Sequence, residues 1–254
     1  MAGLGVGASA SGVRLEVPEE TGNRFIKRTG VVLRRGDRME GDVSVTLFLK
    51  SSGTVSVYVP GASKGSHRFG GTLEPFVWGH WQLYRSRNRT YLRETEVTDD
   101  LWKMRKNPRA VFRAVAMANM LSRSLIPGYP YDALLANFYW ALKALENNAP
   151  PVAVYARFLW RWLLDWGIAP DLGHCAKCGE PLSLAAWRDG AFMCPRCAGF
   201  SEDAAVDAGT VFDISDFARY ALSRSFVPDC TTDGLLRQSA LISPFLKRNL
   251  ELYR

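Results

Sequence analysis

Four of the five cysteines in this 254-residue chain stand in two closely spaced pairs. Cys175 and Cys178 form one pair, and Cys194 and Cys197 form the other after a loop of fifteen residues. Two residues between cysteines let both sulfurs of a tight turn face one ion, and a loop of roughly 15 to 20 residues brings the chain back to complete a tetrahedron. The spacing therefore predicts a four-cysteine site for one zinc ion, and it disfavours the alternatives of disulfides or incidental buried thiols.

Four protein ligands would leave the zinc no open position for water, whereas catalytic zinc keeps one. The predicted ion is therefore structural. The zinc deaminase signature, His-x-Glu followed by Pro-Cys-x-x-Cys, does not match, since His174 is followed by Cys175 and Met193 precedes Cys194. Adjacency to Cys175 makes His174 an awkward ligand, and we expect it to be a solvated neighbour of the site.

The other residues that could react form no catalytic motif. Nucleophilic catalysis needs a nucleophile, a base and an orienting group, but His67 lies in a glycine-rich stretch and His80 in a predicted strand. Cys230 is expected to be a buried structural thiol. No Gly-Lys-Ser or Gly-Lys-Thr sequence occurs, which excludes a Walker loop. We expect that the protein is not an enzyme.

Positive charge gives a better indication of function. The formal net charge is +7 and the isoelectric point is near 9.3, which favours a polyanionic partner. Much of the surplus lies between Arg24 and Arg93, where Tyr58, Tyr84 and Tyr91 are interspersed. Arg and Lys neutralise phosphates, and exposed aromatic rings stack on unpaired bases. The predicted DNA contacts are Arg34, Arg35, Arg38, Lys64, Arg68, Arg85, Arg87 and Arg89.

These basic residues fall in a segment with the pattern of strands. Alternating apolar residues predict a hairpin over residues 43–59, preceded by a strand over 25–35 with a turn at Gly36-Asp37. Further strands are predicted over 73–84 and 89–97. Five strands in about 75 residues suggest a small barrel, and the OB-fold is a five-stranded barrel that binds oligonucleotides. We predict an OB-fold domain over residues 24–98, after a flexible tail over residues 1–23.

From Asp99 the apolar period changes to that of helices. Asp132 is predicted to cap one helix, and residues 152–166 form the most amphipathic one, with Arg157 and Arg161 on its solvated side. A last helix is predicted to bend near Pro244. The predicted architecture is α+β and multidomain: the barrel is followed by a helical domain, residues 99–170 and 201–254, with a four-cysteine zinc module inserted at residues 171–200.

No stretch reaches the length of a membrane span, and the first basic residue is Arg14, so the start lacks the charge pattern of a secretory signal. Zinc-type cysteines without further pairs agree with a reducing compartment. We expect the protein in the cytoplasm.

Several motifs, in this order and together with the four cysteines, resemble the RecO family of bacterial recombinational repair proteins. The resemblance spans Arg28 to Phe200. The motifs are Gly30-Val31-Val32-Leu33-Arg34, Glu40-x-Asp42 before Val45-Thr46-Leu47-Phe48, Gly61-Ala62-x-Lys64 before Phe69, Leu73-Glu74-Pro75-Phe76, and Leu164-x-x-Gly167-x-x-Pro170.

The resemblance implies an N-terminal OB domain, a helical domain and a zinc module. It also implies binding of single- and double-stranded DNA, annealing of strands coated by single-strand binding protein, and work with RecR to load RecA. RecF and RecA would be indirect partners, the location would be the nucleoid, and the helical domain would dock the acidic, apolar tail of single-strand binding protein. The alternative is a zinc-stabilised protein-interaction scaffold whose charge is incidental.

Overall fold

The computed structural model describes residues 24–37, 41–62, 69–188, 191–200, 211–223 and 232–252. Its N-terminal part is a closed barrel with strand order β1-β2-β3-β5-β4. The strands are β1 (Phe25–Asp37), β2 (Val43–Leu49), β3 (Gly53–Val59), β4 (Trp78–Arg85) and β5 (Thr90–Asp99). Every neighbouring pair is antiparallel except β3 and β5, which run parallel and close the barrel. The predicted five-stranded OB-type barrel is confirmed.

Alternation along the strands fills the barrel interior. On β2, Val43, Val45, Leu47 and Leu49 are fully buried inside, while the intervening Ser44 and Thr46 remain partly exposed. Trp81 of β4 is also fully buried, and its Nε1–H donates to the Gly30 carbonyl oxygen at 3.0 Å. The interior is therefore a packed apolar core in which the indole N–H of Trp81 has a partner.

Two details of the barrel differ from the sequence prediction. Strand β1 continues through Gly36 and Asp37, which pair with Ser44 and Val43, so the predicted turn there is wrong. Strand β4 begins only at Trp78, because residues 70–73 form a 3₁₀ helix that buries Leu73 in the barrel interior. The apolar residues Leu73 and Phe76 favour an early strand, but Leu73 packs from the 3₁₀ helix and Phe76 from the segment that follows it.

The helices are α1 (Trp102–Arg105), α2 (Pro108–Ser124), α3 (Asp132–Glu146), α4 (Pro151–Asp165), α6 (Ile214–Leu222) and α7 (Asp233–Leu252), with the short α5 (Pro195–Ala198) in the cysteine region. Asn107 caps α2, and its side chain accepts from the backbone N–H groups of Arg109 and Ala110. Pro108 occupies the first turn, where no N–H is needed. No helix within the described ranges is long and apolar enough to cross a membrane.

Helix α4 is the centre of the helical part, and it packs against α2, α3, α6 and α7. Because neighbours cover nearly all of it, Arg157 is only 8% exposed, and its Nη2 donates to the Ser223 carbonyl oxygen at 2.7 Å. The prediction that Arg157 is solvated is therefore wrong. Arg161 is 30% exposed and lies 4.0 Å from Asp165, one turn further along.

The cysteine region carries a small sheet of three strands, β6 (Leu184–Arg188), β7 (Ala191–Met193) and β8 (Val211–Asp213), in the order β7-β6-β8. Ala185, Phe192 and Phe212 from this sheet belong to the same buried cluster as the helices. Trp187 packs against Phe245 of α7, with ring centroids 3.4 Å apart and ring planes tilted by 45°. Helix α7 continues past Pro244 to Leu252. The cysteine region is therefore packed against the helices.

The barrel and the helices also share buried residues. Val31, Leu33, Phe48 and Phe76 lie on the barrel but pack in the helical core. Polar contacts cross the same boundary: Lys143 Nζ lies 3.0 Å from Asp99 Oδ2, and Arg105 Nη2 donates to the Pro75 carbonyl oxygen at 2.7 Å. The division of the chain at residues 98, 170 and 200 remains a prediction.

Asp132 has a different role from the predicted helix cap. It is the first residue of α3, and Tyr131 occupies the capping position, where its side chain makes no capping hydrogen bond. The Asp132 carboxylate instead accepts from the Ser51 backbone N–H at 2.6 Å and from the Ser51 hydroxyl at 3.3 Å. Ser51 lies in the β2–β3 turn with a left-handed φ of 56°. Asp132 therefore ties the barrel to the helical part.

Candidate metal centre and nucleic-acid interface

The four predicted metal ligands come together. The sulfurs of Cys175, Cys178, Cys194 and Cys197 all lie within 4.8 Å of one another, and the Cys178 and Cys194 sulfurs are 3.8 Å apart. Four thiolates at about 2.3 Å from a zinc ion would stand about 3.8 Å from each other. The cluster thus has the dimensions of a tetrahedral site with four sulfur ligands.

The two Cys-x-x-Cys turns are built alike. The Gly179 N–H donates to the Cys175 carbonyl oxygen at 2.9 Å, and the Ala198 N–H donates to the Cys194 carbonyl oxygen at 3.0 Å. Each turn is followed by a glycine in the left-handed region, Gly179 at φ 75° and Gly199 at φ 87°, where a side chain would strain the backbone. These turns aim both sulfurs of each pair inward.

Hydrogen bonds prepare this cluster for a cation. Burial acts to raise the pKa of Cys175, but backbone N–H groups of Cys178, Cys194 and Lys177 aimed at its sulfur lower the pKa to about 6. Hydrogen bonds that the Cys197 thiol donates to the sulfurs of Cys194 and Cys178 raise the pKa of Cys197 to about 12. Thiolates are the form that binds metals. The donor set therefore suits zinc.

His174 stands outside this cluster, as expected. Its side chain is 62% exposed, and Nδ1 lies 3.2 Å from Asp171 Oδ2. The hydrogen bond from the Gly173 N–H lowers the pKa of Asp171, and the hydrogen bond with the His174 side chain lowers it further. His80 lies on β4 with Nδ1 2.9 Å from Thr29 Oγ1. His67 and Cys230 lie outside the described residues.

The candidate nucleic-acid interface is the outward face of β1, β2 and β3. Cross-strand partners share a face, and pairing places Arg34, Thr46 and Ser56 in one row across the three strands. Arg34 and Ser56 are exposed. A second row continues from Ser44 to Tyr58. This face is polar, with the small side chains of Thr46 and Ser56 beside the exposed Arg34.

The β4–β5 loop forms one wall of this face. Together with Ser44, Ser56 and Tyr58 it lines a groove of about 330 Å³ whose loop residues include Arg85, Arg87 and Arg89. All three arginines are exposed, and the Arg89 guanidinium lies 5.0 Å from the centre of the Tyr58 ring. The Tyr58 hydroxyl donates to Asp42, which raises the pKa of Tyr58. The structure thus gathers residues from three sequence segments around one groove.

Arg35 differs from its neighbour Arg34. Its guanidinium pairs with Glu74, and it also lies 3.3 Å from Asp37 Oδ1. Its side chain is 26% exposed. Arg35 is therefore engaged with two carboxylates. Arg38, Lys64 and Arg68, the remaining predicted DNA contacts, lie outside the described residues.

A second groove, on the helical part, was not located from the sequence. It measures about 530 Å³ and is lined by Pro108, Arg109, Phe112 and Arg113 of α2, by Pro150, Pro151 and Val152 at the start of α4, and by Leu236 of α7. Phe112 is 68% exposed, and the Arg113 guanidinium lies 5.7 Å from its ring centre. In the sequence, Phe112 stands at helical spacing from Arg109 and beside Arg113, and this pattern was the available signal for the groove.

The barrel, the helical part and the cysteine cluster together match models of recombination proteins. Residues 24–100 match the family described as Recombination protein O N terminal, and residues 105–253 match the one described as Recombination protein O C terminal. The class is thus a bacterial-type DNA recombination protein with an OB-type barrel. The chain belongs to the RecO family, and it is a DNA repair protein of that family.

Individual relatives agree with this assignment. DNA repair protein RecO of Anaeromyxobacter sp. (strain K) is 32% identical over 195 residues, which cover 73% of this chain and 76% of the relative. The RecO protein of Exiguobacterium sibiricum is 28% identical over 201 residues, with 76% and 81% covered. The Bacillus subtilis (strain 168) protein is 25% identical over 173 residues, with 67% and 68% covered. The resemblance inferred from the sequence is confirmed.

Proposed function

We propose that this protein binds DNA through its barrel, anneals complementary single strands and, with RecR, helps load RecA onto DNA coated by single-strand binding protein. The observation that carries the proposal is the groove between the outward β2–β3 face and the β4–β5 loop. In OB-folds this face and its bordering loops bind oligonucleotides. Here the groove combines exposed Arg85, Arg87 and Arg89 with the Tyr58 ring.

Annealing of this kind needs no bond-making residue. Two single strands repel each other through their phosphates, and arginines that neutralise phosphates lower that barrier while releasing counterions. A ring such as Tyr58 holds a base by stacking without reading its identity, so its edge stays free to pair. The protein would act by holding and presenting a strand, in keeping with the expectation that it is not an enzyme.

The four-cysteine cluster supports this role as a structural element. We propose that it holds one zinc ion with all four sulfurs as ligands, which leaves no position for a substrate. The ion would fix the two turns and, through them, the small sheet that packs on α7. It supplies folding stability and no chemical step.

The groove on the helical part supports the predicted docking of the tail of single-strand binding protein. An acidic, apolar peptide needs an apolar surface for its hydrophobic side chains and cations for its carboxylates. Phe112 and the prolines at residues 108, 150 and 151 offer the first, and Arg109 and Arg113 offer the second. We propose this groove as the dock.

The alternative function, a zinc-stabilised interaction scaffold with incidental charge, would use this helical groove but not the barrel face. A strand-annealing assay separates the two. Complementary oligonucleotides, one labelled, are mixed with the protein, with and without single-strand binding protein. We expect acceleration in both conditions. A protein that gives no acceleration in either condition, yet still binds the tail peptide, would support the scaffold and refute annealing.

The two grooves predict different losses in the same assay. Replacing Arg85, Arg87 and Arg89 together with Gln should slow annealing of bare strands and of coated strands alike. Phe112→Ala should slow only the coated reaction, because bare strands carry no tail. Equal losses for Phe112→Ala in both conditions would contradict the assignment of that groove.

A further inference from the structure

Four aromatic residues lie in one cross-strand row around the rim of the barrel. Phe25 of β1 pairs with Tyr84 of β4, Tyr84 pairs with Tyr91 of β5, and Tyr91 pairs with Tyr58 of β3. Since paired residues share a face, the four rings project outward along a continuous path. The ring centres of Phe25 and Tyr84 are 5.3 Å apart, and those of Tyr58 and Tyr91 are 5.7 Å apart.

Each end of this row carries an arginine. Arg89 lies over Tyr58, and Arg93 lies over both Phe25 and Tyr84, at 5.9 and 6.0 Å from their ring centres. Arg93 sits where the β4–β5 register shifts between Gln82 and Leu83, and such bulges re-aim side chains. The Phe25 end thus carries two neighbouring rings with an arginine over them, as the Tyr58 end does. Bases in single strands stack on both groups.

Charges around the row favour a polyanion along the rim. Arg24 precedes β1 and Arg85 ends β4, and the Arg85 N–H donates to the Arg24 carbonyl oxygen at 2.8 Å. Both side chains are exposed beside the Phe25–Tyr84 pair. Further down the barrel the exposed Glu94 and Glu96 share their rows with basic residues, since Lys27, Arg28 and Lys50 line a groove beside His80. The two arginines at the rim would therefore attract phosphates to the Phe25–Tyr84 pair.

We propose that Phe25, Tyr84 and Arg93 form a second base-stacking subsite, which continues the path of a single DNA strand from the Tyr58 groove around the barrel rim. The proposal rests on the proposed DNA binding by the β2–β3 face. Under this proposal, one part of the DNA strand contacts the β1–β4 side of the barrel and another part lies in the Tyr58 groove. A longer strand should therefore bind more tightly than one that fills the groove only.

The test uses the full chain and two labelled oligo(dT) probes of about 6 and about 16 nucleotides, near the two ends of the site-size range of an OB-fold. Phe25→Ala should weaken binding of the longer probe by roughly 5- to 100-fold, the range for loss of one stacking ring. It should leave binding of the shorter probe within about twofold. Phe25→Tyr keeps a ring and should restore the longer probe's affinity. Trp140→Ala, which removes an exposed ring on α3, should change neither.

The outcomes separate this proposal from the proposed function. If the wild-type protein binds neither probe at low salt, DNA binding itself fails. If it binds both and Phe25→Ala leaves the longer probe's affinity unchanged, the rim subsite is refuted while the groove stands. A loss for the longer probe in both Phe25→Ala and Phe25→Tyr would also refute stacking, since the ring is then not what matters. Crosslinking of a 5-iodouracil probe to Tyr84 would support the path directly.

Discussion

Arg34 and Arg35 show how two adjacent residues of the same type differ in what they offer a ligand. Arg34 projects from the outward row beside Thr46 and Ser56 and is exposed. Arg35 is held by Glu74 and Asp37, so a phosphate would have to displace two carboxylates to reach it. A count of basic residues cannot separate these cases, because Glu74 lies 39 positions away from its partner.

The pair makes a matched comparison for DNA binding. Arg34→Gln should weaken binding of single-stranded DNA and reduce the slope of log affinity against log salt by about 0.7, the value for one phosphate contact. Arg35→Gln should change that slope less and should lower the free energy of unfolding by up to about 1 kcal/mol, as expected for a partly exposed ion pair. Fluorescence anisotropy across a salt series measures the slopes. If both variants reduced the salt slope equally, the ion pair with Glu74 would not keep Arg35 from contacting DNA phosphates.

Asp132 gives a second prediction at the residue scale. Its carboxylate accepts two hydrogen bonds from Ser51 across the boundary between barrel and helices. Asp132→Ala should lower the free energy of unfolding by about 1 to 2 kcal/mol, because charged hydrogen bonds are stronger than neutral ones but these are exposed to water. Asp216→Ala, which removes an exposed helix ion pair with Arg219, should change it by about 0.5 kcal/mol or less. Urea unfolding of both variants would settle the comparison.

Among the elements, those with a solvated face were predicted best. Strands β2 and β3 alternate in sequence because one face fills the barrel while the other meets water, and the cysteine spacing likewise defined its own turns. Helix α4 was harder. Its apolar stripe predicted one buried face, but packing by four other helices also buries the side with Arg157. The periodicity of apolar residues along a helix predicts one buried face. It does not predict how many further elements from distant parts of the sequence pack against the same helix.

Grooves made of several elements were out of reach for the same reason. The basic residues of the β4–β5 loop could be identified individually, but their proximity to Ser44, Ser56 and Tyr58 depends on closure of the barrel between β3 and β5. Only two residue pairs define that closure. The sequence predicts Phe25 as a strand residue, but its place in the aromatic row depends on the register with Tyr84, which the structure supplies.

The cysteine region yields a prediction at the scale of elements. Trp187 and Phe192 of the small sheet pack on Phe245 of α7. Removal of the metal should loosen the two cysteine turns and weaken this packing. We therefore expect Cys175→Ser, or treatment with a strong chelator, to lower the thermal midpoint by roughly 5 °C or more. Metal analysis of the wild-type protein should find zinc at about one ion per chain.

Cys230 provides the control for this experiment, since it is the one cysteine that belongs to neither Cys-x-x-Cys pair. Cys230→Ser should leave the zinc content at the wild-type level. If Cys175→Ser kept both its metal content and its thermal midpoint, the four-sulfur site would be refuted. A different metal at full occupancy would overturn the choice of zinc but not the ligand set.

At the scale of the whole molecule, the barrel and the helices behave as one packed body. The barrel residues Val31 and Phe48 are fully buried against the helical core. The Gly128 N–H donates to the Thr54 carbonyl oxygen at 3.1 Å, next to a bridge between Thr54 and Pro127. The β2–β3 turn is thus seated on the loop between α2 and α3. A barrel that carries DNA would be held in fixed orientation to the groove on α2.

Substitution of Gly53 would measure how much the contact between the β2–β3 turn and the α2–α3 loop contributes to stability. It has a left-handed φ of 62°, and a β-carbon there would overlap the backbone carbonyl oxygen of Tyr129. Gly53→Ala should therefore lower the free energy of unfolding by about 2 to 4 kcal/mol, since it adds a backbone clash to the conformational strain. Gly61 has a similar φ of 67° but open space around it, so Gly61→Ala should cost only about 1 kcal/mol. Both variants should unfold in one transition if barrel and helices share a core. Equal losses for the two variants, or a separate early transition of the barrel in Gly53→Ala, would show that the turn is not seated on the α2–α3 loop as a rigid contact.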